Sequence, residues 1–152
     1  MNFHVVLVEP EIPQNTGSIA RMCAGTGAWL HLVEPLGYIL EDRYLKRAGL
    51  DYWPSVRLSV HRSWEEAASL LPWERTWLLS ARASARYWDA PMAGGDVLVF
   101  GRESTGLSAE LLASRGERTI GLPLSPSIRS FNVSTAVGVA GFEILRRINW
   151  RG

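Results

Sequence analysis

Residues 3–9, Phe3-His4-Val5-Val6-Leu7-Val8-Glu9, form an almost unbroken apolar run of strand length. A strand without polar alternation must be covered on both faces, which points to a parallel sheet sandwiched between helices. Pro10 and Pro13 break the run, and Asn15 or Thr16 is expected to cap a helix reaching about Thr26, where Gly27 stops it. The pattern then recurs. Strands are expected at residues 29–34, 56–60, 76–81, 96–101 and 118–122. Helices are expected at 42–48, 64–71, 109–113 and 132–148, with 83–95 as the long irregular stretch. Alternating strands and helices imply an α/β fold, a parallel sheet with helices on both faces. With 152 residues and 47% hydrophobic content, residues 1–152 suit a single domain around one core.

Two common nucleotide-binding readings fail. The turn after the first strand carries Pro-Glu-Ile-Pro-Gln where a G-x-G-x-x-G fingerprint belongs, and no phosphate-loop lysine motif follows. A net charge of +1 neither demands nor excludes a nucleic-acid partner. Of sixteen basic residues all but Lys46 are arginine, either a compositional bias or a use of guanidinium forks on phosphate and bases. The single Cys23 excludes an intrachain disulfide and suits a reducing compartment. No signal-like leader and no membrane-length apolar run is present, so a cytoplasmic protein without membrane association is expected. His4, His31 and His61 lack metal-ligand spacing and read as strand or edge residues; no metal is expected.

Three segments carry more polar chemistry than connectors need. Asn15-Thr16-Gly17-Ser18-Ile19-Ala20-Arg21 places Arg21 about one and a half turns beyond Asn15, so both can face a pocket at the helix start. Phe100-Gly101-Arg102-Glu103-Ser104-Thr105-Gly106-Leu107 ends an apolar strand, where ligand sites of α/β folds lie, and brackets Glu103 between glycines. Residues 126–134, Pro-Ser-Ile-Arg-Ser-Phe-Asn-Val-Ser, feed a long helix rich in small apolar residues, with Asn132 placed to cap it.

Together these motifs resemble the SpoU branch of the SPOUT RNA methyltransferases, in order and spacing. The likeness is closest to the minimal tRNA wobble-position ribose 2′-O-methyltransferases, which share Glu9-Pro10-Glu11-Ile12-Pro13-Gln14-Asn15-Thr16-Gly17 and a segment like Leu45-Lys46-Arg47-Ala48-Gly49-Leu50-Asp51-Tyr52-Trp53. Ser108, Phe131, Val133 and Phe142 depart from the family's usual residues. The resemblance implies a C-terminal deep trefoil knot, which periodicity would not suggest because threaded chains are rare. It further implies S-adenosylmethionine as methyl donor, held by loops containing Leu79, Gly101, Leu122 and Ser130. Gly101 is expected to let the cofactor approach the main chain.

By the same resemblance Arg21, Asn15, Glu103, Ser130 and Asn132 form the catalytic set. Arg21 acts on the ribose hydroxyl as base or as electrostatic stabiliser. Only about one guanidinium in a hundred thousand is neutral at pH 7, so a cation steadying the developing alkoxide fits better. Glu103 would hold Arg21 or orient the ribose. The expected substrate is the tRNA anticodon stem-loop at the wobble nucleotide, cytidine or modified uridine, with leucine tRNAs favoured. Another RNA position, or a catalytically silent RNA-binding module, is the alternative. The last helix is apolar over a broad arc that must be covered on more than one side, either within the chain or, as the resemblance implies, by a second copy in a homodimer. Arg43, Lys46 and Arg47, and Arg82 and Arg86 beside Tyr87 and Trp88, are candidate RNA contacts.

Overall fold

The computed structural model describes residues 2–40 and 53–152. Six strands, β1 (His4–Val8), β2 (Trp29–Val33), β3 (Arg57–His61), β4 (Thr76–Leu79), β5 (Val97–Phe100) and β6 (Thr119–Ile120), form one sheet in the order β3-β2-β1-β5-β4-β6. Every pairing is parallel. Four α-helices complete the described chain: α1 (Pro13–Thr26), α2 (Trp64–Leu70), α3 (Ala109–Ser114) and α4 (Val133–Arg147). The expected helix at 42–48 and its basic residues lie outside the described residues.

Alternation along the central strands sends side chains to two separate cores. Phe3, Val5, Leu7, Leu30, Leu98 and Phe100 meet Ile19, Ala20, Val137 and Ile144 from α1 and α4. Val6, Val33, Leu78, Val97 and Val99 meet Ala67 of α2 and Leu111 of α3 on the opposite face. Helix α4 lies directly on Phe3 because Gly141 has no Cβ; one built there would approach Phe3 Cζ to 2.8 Å. Gly138 has no such neighbour, so only part of the small-residue stripe serves packing.

Two expectations need correction. Helix α1 begins earlier than its proposed caps: Pro13 occupies its first turn and Ile12 is the N-cap, without a side-chain cap bond. Asn15 and Thr16 are therefore interior and buried. Strand β6 is shorter than the apolar run suggested, because Gly121 leaves the ladder and closes on other loops. A Cβ at Gly121 would come within 2.5 Å of the Ser80 carbonyl oxygen, and its own N–H donates to Ala85 O at 2.9 Å. The three histidines are strand residues, as expected, and their rings meet. His4 Nδ1 lies 2.9 Å from His31 Nε2, and His31 Nδ1 lies 3.0 Å from His61 Nε2, in a row across β1, β2 and β3. His31 and His61 are each 5% exposed.

Candidate functional site

At the C-terminal ends of β4, β5 and β6 the loops enclose a cavity of about 680 Å³, within the usual range for small-molecule sites. Leu79 and Leu122 provide apolar walls, Gly101 forms part of the rim, and Ser130 and Asn132 approach from the segment before α4. The loop after β5 folds sharply: Gly106, at φ +72°, donates its N–H to Arg102 O at 2.8 Å. A Cβ at Gly101 would lie 2.1 Å from the Gly106 carbonyl carbon. Gly101 is thus required by its own turn before any ligand is considered.

Neighbouring strands β1 and β5 are left by connections running in opposite directions along the sheet, which is where open α/β sheets usually hold ligands. Here the protein fills that crevice itself. The Glu11 N–H donates to Glu103 Oε2 at 2.8 Å and the Ile12 N–H to Glu103 Oε1 at 3.2 Å. In return Glu11 Oε1 accepts from the Ser104 N–H at 3.0 Å and from Ser104 Oγ at 2.6 Å. These two donations hold the Glu11 carboxyl below the usual carboxylate range, the hydroxyl being the larger cause. Beside them Glu9, in a left-handed backbone conformation at φ +52°, pairs with Arg102 at 3.1 Å.

The network extends inward. Asn15 Nδ2 lies 3.5 Å from Glu103 Oε1, and Asn15 Oδ1 accepts from Asn132 Nδ2 at 2.9 Å. Asn132 Oδ1 accepts the Ser134 N–H at 2.8 Å, capping α4 as its position suggested. Thr16 and Tyr38 share a hydroxyl hydrogen bond of 2.6 Å next to this network. Burial pushes the Tyr38 hydroxyl up to about 12 despite that bond, and the Glu103 charge adds to the rise.

Seven residues singled out from sequence, Asn15, Leu79, Gly101, Glu103, Leu122, Ser130 and Asn132, line one cavity. Arg21 does not. Six residues beyond Asn15, it stands about 120° round the helix at roughly 100° per residue, and its side chain is exposed. The hydrogen bonds of Glu103 go to the backbone and Asn15, not to Arg21. Arg82 lines the cavity, whereas Trp88 lies at the far end of α4, its carbonyl accepting from Arg147 at 2.7 Å. Sequence reading missed Glu11, Ser104 and Tyr38. The available signal for the first was a second acidic residue in a loop between a strand and a helix.

The model of the SpoU rRNA Methylase family matches residues 2–142. A Burkholderia cenocepacia protein named tRNA (cytidine(34)-2′-O)-methyltransferase is 46% identical, covering 99% of this chain and 98% of its own. A solved structure described as "Structural insights into the 2-OH methylation of C/U34 on tRNA" is 44% identical with a TM-score of 0.89, covering 98% and 97%. The SpoU methyltransferase AviRb from Streptomyces viridochromogenes, solved with the cofactor AdoMet, is 20% identical with a TM-score of 0.80 over 98% of this chain and 58% of that one. It shares the fold. With the family model spanning most of its length and near-full-length relatives above two-fifths identity, the chain belongs to the SpoU rRNA methylase family.

Proposed function

We propose that the protein moves a methyl group from S-adenosylmethionine to the ribose 2′-hydroxyl of the tRNA wobble nucleotide, position 34. The observation that carries this reading is the joining of Asn15, Glu103 and Asn132 into one network at the rim of the cavity walled by Leu79, Gly101 and Leu122. Near-full-length relatives bear the name of that reaction. The cavity fits the donor chemically. Two leucines offer apolar walls for an adenine ring, and the strand-end loops offer backbone amides and carbonyls for its edge and for the methionine portion.

When bound, the sulfonium supplies an electrophilic methyl and a thioether leaving group. The chain's part is to bind, align and stabilise. Asn132 and Ser130 stand where ribose or methionine groups can be held, and alignment of nucleophile, methyl and sulfur is itself a large catalytic contribution. Arg21 serves as the cation beside the developing alkoxide. Its exposed position on α1 suits a site shared between two subunits. Phe142 at 53% exposure, Phe131 at 40% and Val139 at 36% give this proposed homodimer an apolar surface. Threading of the C-terminal segment as a trefoil knot is part of the same reading. It is supported by the return of the chain from edge strand β6 to α4, which packs on α1 and β5. Work on the tRNA anticodon stem-loop, with cytidine or modified uridine and leucine isoacceptors as targets, places the protein in the cytoplasm. Arg82 at the cavity is the best placed of the described basic candidates for phosphate contact.

The test is nucleoside mapping of 2′-O-methylation in tRNA from cells with and without the gene, with calorimetry using S-adenosylhomocysteine. Loss of the wobble methyl group and measurable binding are expected. Unchanged wobble methylation, or no binding heat, overturns the reading.

A further inference from the structure

We propose that Glu11 and Ser104 are positioning residues for methyl transfer: with Glu103 they clasp the loop leading into α1 to the loop that walls the donor cavity. The contact is reciprocal. Glu103 takes backbone N–H groups from residues 11 and 12, and Glu11 takes the backbone N–H and hydroxyl of Ser104. Each loop therefore holds the other through a carboxylate and a main-chain donor. Such pairing fixes both position and orientation, because charge-assisted bonds to backbone N–H groups are short and directional.

The two loops carry different halves of the proposed reaction. Helix α1 brings Arg21, on the proposed acceptor side, and Asn15, which reaches the cavity edge; residues 101–107 shape the donor cavity. The clasp sits between them, and Glu103 is common to it and to the Asn15–Asn132 chain. A change in loop separation would pass directly to the distance and angle between hydroxyl and methyl. Misplacement by about 1 Å can cost about a hundredfold in rate. Folding has less at stake. Ser104 is exposed and the clasp lies at the surface, so its bonds compete with water and contribute little to stability. This inference rests on the methyl-transfer reading above.

The experiment compares Glu11→Ala, Glu11→Gln, Ser104→Ala, Ser104→Thr and the double alanine variant. For each, the single-turnover methylation rate, the donor Kd and the melting temperature are measured. Glu11→Ala is expected to slow transfer about tenfold to a hundredfold with donor Kd and melting temperature close to wild type. Ser104→Ala, which keeps the backbone donor, should lose less. Glu11→Gln and Ser104→Thr, which keep an acceptor and a hydroxyl, should recover most of the rate. The double variant should be no slower than Glu11→Ala, because both changes break one clasp. Rates within twofold of wild type, losses that track melting temperature or donor Kd, or multiplicative losses in the double variant would each overturn the proposal. If Glu11→Ala does not fold, the Ser104→Ala and Ser104→Thr pair decides it. A wild-type protein that methylates no tRNA sinks the functional reading and the clasp's role together; an active wild type with indifferent variants sinks the clasp alone.

Discussion

Two polar networks in this molecule obey opposite rules. At the C-terminal ends of β1 and β5, Glu11 and Glu103 sit at the surface and accept backbone N–H groups as anions would. In the other half of the sheet, His4, His31 and His61 run in a row across β1, β2 and β3, and burial favours the neutral form of His4 and His31. Burial pushes His31 down to about 3, with the charges of His4 and His61 acting in the same sense. One network meets charge with water and backbone N–H groups; in the other, burial disfavours a charge on His4 and His31. The proposed function therefore draws on the first, and the second is read as part of the fold.

The sharpest test of that division removes chemistry without touching either network. Arg21→Ala should lower turnover about a thousandfold, as loss of a transition-state donor does, with donor affinity largely intact by calorimetry. Equal loss of both would make Arg21 structural. Acid should do the reverse and break the fold. The unfolded His31 titrates near 6.5 and the folded one near 3. Stability is fully present above the unfolded value and falls as pH drops toward the folded one, because only the unfolded chain takes up the proton in that window. The slope approaches about 1.4 kcal/mol per pH unit, so urea denaturation should show about 2.5 kcal/mol less stability at pH 4.5 than at pH 7. In His31→Phe that acid sensitivity should shrink.

Glu103→Gln comes next. The amide oxygen can accept one backbone N–H but its nitrogen opposes the other, so a rate loss of about tenfold to thirtyfold is expected, roughly 1.5–2 kcal/mol. Wild-type single-turnover rates would remove Glu103 from the site. The smallest effect belongs to a region that serves neither network. Ser63 caps α2 by accepting the Glu66 N–H at 3.1 Å. Ser63→Ala should cost about 1 kcal/mol in urea denaturation and leave methylation unchanged.

Local signals carried most of the fold. The apolar runs of β1, β4 and β5 announced strands covered on both sides, and Asn132 announced the start of α4. Where local signals competed, the reading slipped. Pro13 outranked Asn15 at the start of α1, since its fixed φ and missing N–H suit a first helical turn. Strand β6 was curtailed by the close approach of Gly121 to Ser80, which no neighbouring residue betrays. The cavity-lining residues were visible as motifs, yet their partners were not. Glu103 acts on amides 91 and 92 positions away in the chain. The histidine row depends on parallel register, in which His4 lies opposite Trp29 and meets His31 only diagonally. Spacing along a chain does not report such offsets between strands.

The crevice between β1 and β5 leads to one more conclusion. In many α/β proteins the positive end of the first helix is left open for an exchangeable phosphate. Here a glutamate side chain takes the two amides that lead into that helix, at residues 11 and 12, as a built-in counterion. The amides at the mouth of α1 are therefore engaged by the chain's own carboxylate, and the cavity opens one strand further along the sheet.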